Sequence, residues 1–163
     1  MRISLTLALV LANLAAFIIQ VTVSGFTLLF SLTPALAING AYWQFFTYMF
    51  LHGDPMHLFI NMFVLIIFGQ QVERHLGWKN FLLLYVIAGL GSAFLHIYLT
   101  GPSFIIMLGA SGAVFGILTA YGFLFPRRWI IMFPGIPMPA IAAVFVFAGL
   151  ELVLGVFSLE PGV

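Results

Sequence analysis

The sequence predicts an all-α fold, a polytopic membrane helix bundle with five transmembrane helices in a single domain over residues 1–163. Of the 163 residues, 64% are hydrophobic and only 6% are charged, whereas globular domains carry about 25% charged residues. The mean hydropathy is +1.23. A bilayer-spanning helix needs about 20 apolar residues. Five runs approach that length: residues 3–23, 55–72, 81–99, 109–125 and 138–157.

The first apolar run follows Arg2 and resembles a signal peptide only superficially. It is longer than the usual hydrophobic region of about 7–15 residues, and no clean small-residue cleavage site follows it. We therefore expect a retained transmembrane helix.

The connection between the first two runs, residues 24–54, is too apolar for an ordinary polar loop. Tryptophan and tyrosine gather at membrane interfaces, so an aromatic belt explains part of the pattern, and a structured functional loop explains it equally well. In either case we expect a loop associated with the membrane. Its aromatic side chains are Phe26, Phe30, Tyr42, Trp43, Phe45, Phe46, Tyr48 and Phe50.

Basic residues indicate the orientation of the bundle. All five fall on one side of the predicted spans, and cytoplasmic loops collect lysine and arginine. We expect a multi-pass protein of the cell membrane, most simply a prokaryotic plasma membrane, with a cytoplasmic N-terminus. The five residues are Arg2, Arg74, Lys79, Arg127 and Arg128.

Composition also limits the partners. The chain has no cysteine, which excludes disulfides and thiolate metal sites. The basic residues are scattered along the sequence and form no footprint for nucleic acid. We therefore expect contact with the lipid bilayer, no nucleic acid, and neither a cofactor nor a metal.

Helix rise places three polar residues at one depth. Ser111 lies 16 residues before Arg127, or roughly 24 Å from the basic side at 1.5 Å per residue. The same count from Arg74 places His57 and Asn61 at roughly 25 and 20 Å. His57 and Asn61 are four residues apart, so they lie on one helix face. Because polar groups inside spans are costly, this layer predicts a functional site; the alternative is mutual hydrogen bonding that locks the packing.

Two further polar residues lie near this layer. His96 reaches a similar height on the third run, where a packing role is the preferred interpretation, and Glu151 lies slightly lower on the fifth. We expect Glu151 to be protonated or to reach the outer water rather than to catalyse. The spacing Gly112-x-x-x-Gly116 predicts close contact between helices, as small residues allow in membrane bundles.

At these residues the chain resembles the rhomboid intramembrane serine proteases. The resemblance covers essentially the whole chain, and it rests on the combination of motifs because each one alone is weak. The motifs are Trp43-x-x-x-Thr47-x-x-Phe50-x-His52-x-x-x-x-His57-x-x-x-Asn61, Glu73-x-x-x-Gly77 and Gly109-x-Ser111-Gly112.

The resemblance implies a Ser-His dyad protease that cleaves transmembrane protein substrates near the outer membrane face. Ser111 would be the nucleophile. His57, Asn61 and the Ser111 backbone N–H would stabilise the oxyanion, with Gly109 and Gly112 supporting the site. The aromatic loop would be the family's membrane-embedded loop, and the fifth run the proposed substrate gate.

Two positions depart from the family pattern. Gln44 stands where arginine is common, which we expect to affect loop anchoring rather than chemistry. The family's general base is a histidine on a sixth span, yet no histidine follows His96. Three explanations compete: the chain is incomplete at its C-terminus, it is a non-catalytic pseudoprotease that binds transmembrane segments, or His96 substitutes as base. We expect the first, with this chain inactive by itself.

Overall fold

The computed structural model describes residues 4–132, 135–147 and 149. These residues are mainly helical, and they include one small β-hairpin. The helices are α1 (Leu5–Thr22), α2 (Phe26–Phe30), α3 (Pro34–Ala37), α4 (Gln44–Thr47), α5 (Pro55–Val64), α6 (Gln70–Thr100) and α7 (Ser111–Leu124), and residues 140–147 are also helical.

The first helix begins where polar groups satisfy its free amides. The Ser4 hydroxyl accepts a hydrogen bond from the Leu7 N–H at 3.2 Å. The Glu73 carboxylate accepts from the backbone N–H groups of Leu5 and Thr6 at 2.7 and 2.8 Å and from the Thr6 hydroxyl at 2.6 Å. The first amides of a helix have no partner within the helix. Glu73 therefore ties α1 to α6 at this end of the bundle.

One long helical path runs from residue 55 to residue 100 and is broken at two places. A π-helical turn, Leu65–Gly69, joins α5 to α6. Within α6, Gly77 has φ +76° and ψ 157°, a backbone conformation that favours glycine. Gly77 therefore separates a limb ending at residue 76 from one beginning at residue 78. These limbs correspond to the predicted second and third spans, whose ends differ from the prediction by a few residues.

The predicted number of spans is only partly testable. By length and composition, α1 and the path Pro55–Thr100 are apolar enough to cross a membrane, and α7 is a shorter apolar helix. The fifth predicted span, residues 138–157, is helical at 140–147 and at 149, and the rest lies outside the described residues. The count of five stays a prediction.

The all-α prediction needs one correction. β1 (Trp129–Met132) and β2 (Ile136–Pro139) form an antiparallel hairpin in which Trp129 is opposite Pro139. Short apolar runs do not distinguish a strand from a buried helix by periodicity. Residues 138 and 139, which we assigned to the fifth span, therefore belong to a strand.

Helix α7 packs closely against α6, as the glycine spacing predicts. A Cβ added at Gly112 would overlap the Ser92 side chain, and one added at Gly116 would overlap the Ala88 Cβ. Ala88 and Ser92 are themselves small and four residues apart. Small residues on both helices thus let the backbones approach, which is a typical source of stability in membrane bundles.

The loop of residues 23–54 is folded and docks on the connection between α6 and α7. Leu32 and Met107 exchange backbone hydrogen bonds of 2.9 and 2.8 Å. The buried Gln44 accepts from the Thr33 N–H at 3.0 Å and donates to the Leu29 carbonyl at 3.3 Å. Gln44 therefore anchors the loop. Several apolar side chains remain exposed on it: Leu28, Leu29, Leu36, Ile38, Tyr42, Trp43 and Phe46.

Candidate active site

Ser111 is the first residue of α7 and is half-buried. Its position follows from the local sequence, because the extended segment before Ala110 ends at Gly109 and the helix starts immediately after it. The first backbone amides of a helix point outward without helical partners, and the helix dipole favours negative charge there. The Ser111 hydroxyl therefore lies beside groups that can bind an oxyanion.

Gly109 brings the imidazole of His57 next to Ser111. Its φ is +129°, and its N–H donates to the Tyr48 carbonyl at 3.0 Å. A Cβ added at Gly109 would lie 2.8 Å from His57 Cε1, 3.0 Å from His57 Nε2 and 3.8 Å from Ser111 Oγ. Only a residue without a side chain leaves this space to the histidine. The His57 ring and the Ser111 hydroxyl therefore face the same small space beside Gly109. Both residues belong to the polar layer that the sequence predicts.

His57 and Asn61 are positioned by the start of α5. Asp54 is the N-cap, and its Oδ1 accepts from the His57 N–H at 2.8 Å. Pro55 occupies the first turn, where its lack of an N–H has no cost. Asn61 is buried, and its Nδ2 donates to the His57 carbonyl at 3.1 Å. A primary amide has two donor hydrogens, so one Asn61 hydrogen remains for a ligand.

A second histidine, His52, packs on the first. Its ring is fully buried and meets the His57 ring edge-on, with centroids 5.1 Å apart. Within the described part of the chain, neither His52 ring nitrogen has a hydrogen-bond partner. Burial, with the neighbouring His57, lowers the pKa of His52 to about 4. His52 therefore stays neutral at physiological pH and supports His57 by contact.

The backbone of His52 is held by the first helix. Gln20 Oε1 accepts from the His52 N–H at 3.0 Å, and Gln20 Nε2 donates to the His52 carbonyl at 2.8 Å. This two-point contact fixes the chain just before α5. Sequence reasoning missed Gln20 because nothing local links residues 32 positions apart. It also missed the cap at Asp54, although an aspartate followed by proline is a helix-start signal.

His96 and Glu151, the remaining candidates, are placed differently. His96 Nε2 lies 3.0 Å from the Ile105 carbonyl, so this ring contacts the connection between α6 and α7. Glu151 lies outside the described residues. Across residues 4–132 and 135–147, no group of three or more histidine, aspartate or glutamate side chains is arranged to hold a metal ion.

An apolar helical bundle with a half-buried serine at a helix start, and with a histidine facing the same space, defines a membrane protein with a candidate serine-hydrolase site. The family model described as the rhomboid domain matches residues 39–162. The chain belongs to the rhomboid family.

Several relatives are named as proteases. Rhomboid protease AarA of Providencia stuartii is 32% identical over 139 residues, which cover 72% of this chain and 50% of that protein. The putative rhomboid protease YdcA of Bacillus subtilis is 36% identical over 90 residues, covering 53% of this chain and 43% of the relative. RHOMBOID-like protein 6, mitochondrial, of Arabidopsis thaliana is 40% identical over 78 residues, covering 48% and 25%. The chain thus matches only a quarter to a half of the length of these relatives.

Proposed function

We propose that this chain carries the nucleophile and the oxyanion site of an intramembrane serine protease that cleaves transmembrane helices. The observation that supports this most directly is the geometry at Gly109. Because Gly109 has no side chain, His57 Nε2 and Ser111 Oγ border the same small space. The free backbone amides at the start of α7 lie beside this space. Relatives named as rhomboid proteases support the same class of reaction.

In this proposal Ser111 Oγ attacks the carbonyl carbon of the scissile peptide bond. The carbonyl oxygen becomes an oxyanion, which accepts hydrogen bonds from the Ser111 backbone N–H, the free Asn61 amide hydrogen and the His57 ring. Loss of one such donor typically costs about 2.7–4 kcal/mol of transition-state stabilisation. The Ser111 proton passes to a general base, which later protonates the leaving amine.

The general base that would accept the Ser111 proton is not assigned to any residue. A serine hydroxyl at its ordinary pKa is a poor nucleophile and needs an adjacent base. The sequence has four histidines, and none follows His96. We propose that the base is supplied from outside these 163 residues and that this chain by itself has little or no activity.

The substrate and location follow from the depth of the site. The polar layer of Ser111, His57 and Asn61 is predicted to lie near the outer membrane face. This depth favours cleavage of transmembrane helices close to that surface. The basic residues favour a cell-membrane protein with a cytoplasmic N-terminus, by the positive-inside rule. The exposed apolar side chains of the loop of residues 23–54 support its contact with lipid beside the site.

A serine-directed probe tests the nucleophile. In the protein expressed from its complete reading frame, a fluorophosphonate should label Ser111, and Ser111→Ala should abolish both labelling and cleavage of a model transmembrane substrate. Ser103→Ala, which removes a hydroxyl from the connection leading to α7, is the matched control and should retain both. Cleavage at the normal rate by Ser111→Ala would end the proposal.

The second candidate is a non-catalytic rhomboid-like protein that binds transmembrane segments. The exposed apolar side chains of the loop of residues 23–54 favour it, because they offer a surface to such segments. This candidate predicts that the model substrate co-purifies with the protein and is cleaved by neither the wild type nor Ser111→Ala. Cleavage that depends on Ser111 excludes it.

A further inference from the structure

Residues that are far apart in sequence meet at the end of the bundle opposite the candidate active site. The Arg128 guanidinium lies 4.5 Å from the centre of the Phe125 ring and donates to the Gln71 side-chain oxygen. The His75 ring packs edge-on against Phe125, with the two ring centroids 5.6 Å apart. The start of α6, the end of α7 and the start of the hairpin are thus joined here.

An open surface depression of about 440 Å³ lies at this junction. Its lining consists of Phe125, Pro126, Arg127 and Arg128. Both arginines are exposed. Arg128 is already oriented by Phe125 and Gln71, which reduces the conformational entropy that binding a ligand would cost. The depression therefore offers a partly fixed guanidinium with a second one next to it.

This end of the bundle has an excess of positive charge among the described residues. Arg74 lies on α6 three residues after Gln71, the hydrogen-bond partner of Arg128. The carboxylate on the same stretch, Glu73, accepts three hydrogen bonds from the start of α1. The other described carboxylate, Asp54, caps α5 at the active-site end. The local field thus favours an anion.

An apolar surface adjoins the two arginines. Trp129 and Ile131 lie on one face of β1 and are 70% and 79% exposed. Their cross-strand partners are Pro139 and Pro137, while Ile130 turns the other way and packs on the core. Tryptophan prefers the headgroup level of a membrane. This hairpin face therefore fits the boundary between headgroups and acyl chains.

We propose that Arg127 and Arg128 bind the phosphate of an anionic phospholipid headgroup, with the Trp129 and Ile131 face of the hairpin inserted beside its acyl chains. Guanidinium groups bind phosphate oxygens in a bidentate manner, and basic residues immediately next to the end of a membrane helix attract anionic headgroups. A lipid, rather than free phosphate, fits a cationic depression that continues into an exposed apolar face on a membrane protein.

Lipid selectivity of the purified protein tests the site. Native mass spectrometry in detergent would compare retention of phosphatidylglycerol with that of phosphatidylcholine of the same acyl chains. One basic residue near a lipid surface contributes about a fivefold preference, so Arg127→Gln/Arg128→Gln should lower the ratio about 25-fold. Arg127→Lys/Arg128→Lys should restore most of it, which would exclude a folding defect.

Two further variants separate a defined site from diffuse charge. Lys79→Gln removes one charge that does not line the depression, since Lys79 lies beyond the break at Gly77 and over the neighbouring Trp78 ring, and it should change the ratio less than twofold. Trp129→Ala should weaken retention of phosphatidylglycerol without changing the ratio. An equal effect of Lys79→Gln and Arg128→Gln, or no effect of Trp129→Ala, would overturn the proposal. So would equal retention of both lipids by the wild type, or displacement of phosphatidylglycerol by equimolar sodium phosphate.

Discussion

At the scale of single residues, Gly109 determines whether His57 and Ser111 meet. Two effects oppose any side chain at this position: φ is +129°, and a Cβ would lie 2.8 Å from the His57 ring. Gly40 has a similar φ of +122° but nothing within 4 Å of its added Cβ. A substitution at Gly40 therefore introduces the same backbone strain as one at Gly109 but does not displace the histidine.

We expect Gly109→Ala to abolish labelling of Ser111 by a fluorophosphonate, because the methyl group displaces His57. Gly40→Ala should keep the labelling. Both substitutions should lower stability by about 1–3 kcal/mol, the usual cost of a side chain at such a φ. Labelling of both variants and thermal unfolding in detergent provide the check. Normal labelling of Gly109→Ala would mean that the contact of His57 with Gly109 has no role in the site.

The second prediction at this scale concerns His52, which lies in the loop before α5. Its pKa in the folded protein is about 4, below the ordinary value of about 6.5. Between those values the unfolded chain binds a proton that the folded protein does not. Stability should therefore be complete above about pH 6.5 and fall as the pH drops towards 4.

Replacing His52 by phenylalanine should flatten this pH dependence, because it removes the titrating group while retaining a ring against His57. The measurement is the unfolding midpoint in detergent between pH 7 and pH 4.5. An unchanged slope in His52→Phe would show that another group carries the acid sensitivity.

These residues also show how far sequence reasoning reaches. The depth count selected Ser111, His57 and Asn61 because helix rise is regular and basic anchors mark one surface. The contact of Gln20 with the His52 backbone depends on the orientation in which α1 packs against the other helices. No local sequence pattern encodes that orientation, and the contact was therefore not predictable.

At the scale of elements, the close approach of α6 and α7 positions the start of α7. The glycine spacing on α7 predicted such a contact, although it did not identify Ala88 and Ser92 as the partners. The hairpin was not predicted, because β1 lies in the connection between the fourth and fifth predicted spans and a four-residue apolar run does not by itself indicate a strand. Partner choice and short strands are both decided by tertiary packing.

We expect Gly116→Ala to destabilise the bundle, because its methyl group would overlap the Ala88 side chain. Overpacking of this kind typically costs about 1–3 kcal/mol. Gly91→Ala on α6 is the matched control, since an added Cβ there meets nothing within 4 Å. That control should be neutral or slightly stabilising, as alanine is the better helix former. Unfolding midpoints in one detergent compare the two, and equal midpoints would contradict the inferred contact.

At the scale of the whole molecule, the described residues form one connected arrangement from the basic end to the candidate active site. Glu73 fixes α1 at one end, and Gln20, on the same helix, fixes the chain before α5 at the other. The loop of residues 23–54 contacts Gly109 through Tyr48. Contacts among the described residues thus link α1 to α6 and to the chain before α5, and link the loop to Gly109, which precedes Ser111.

The described arrangement does not identify a general base for Ser111. His96 is the histidine not already placed at the start of α5 or at the basic end, and its Nε2 contacts the Ile105 carbonyl. A base must reach the serine hydroxyl within about 3.2 Å. His96 would have to give up the Ile105 contact to do so, and we therefore expect it to play no part in proton transfer.

In proteoliposomes, the 163-residue chain should cleave a model transmembrane substrate more slowly than the protein from the complete reading frame, if that protein supplies a base. The expected deficit is about 10²–10⁴, the usual contribution of general base catalysis. His96→Gln should leave the residual rate of the short chain unchanged, whereas Ser111→Ala should abolish it. Efficient turnover by the 163-residue chain that is lost in His96→Gln would identify His96 as the base and contradict this assignment.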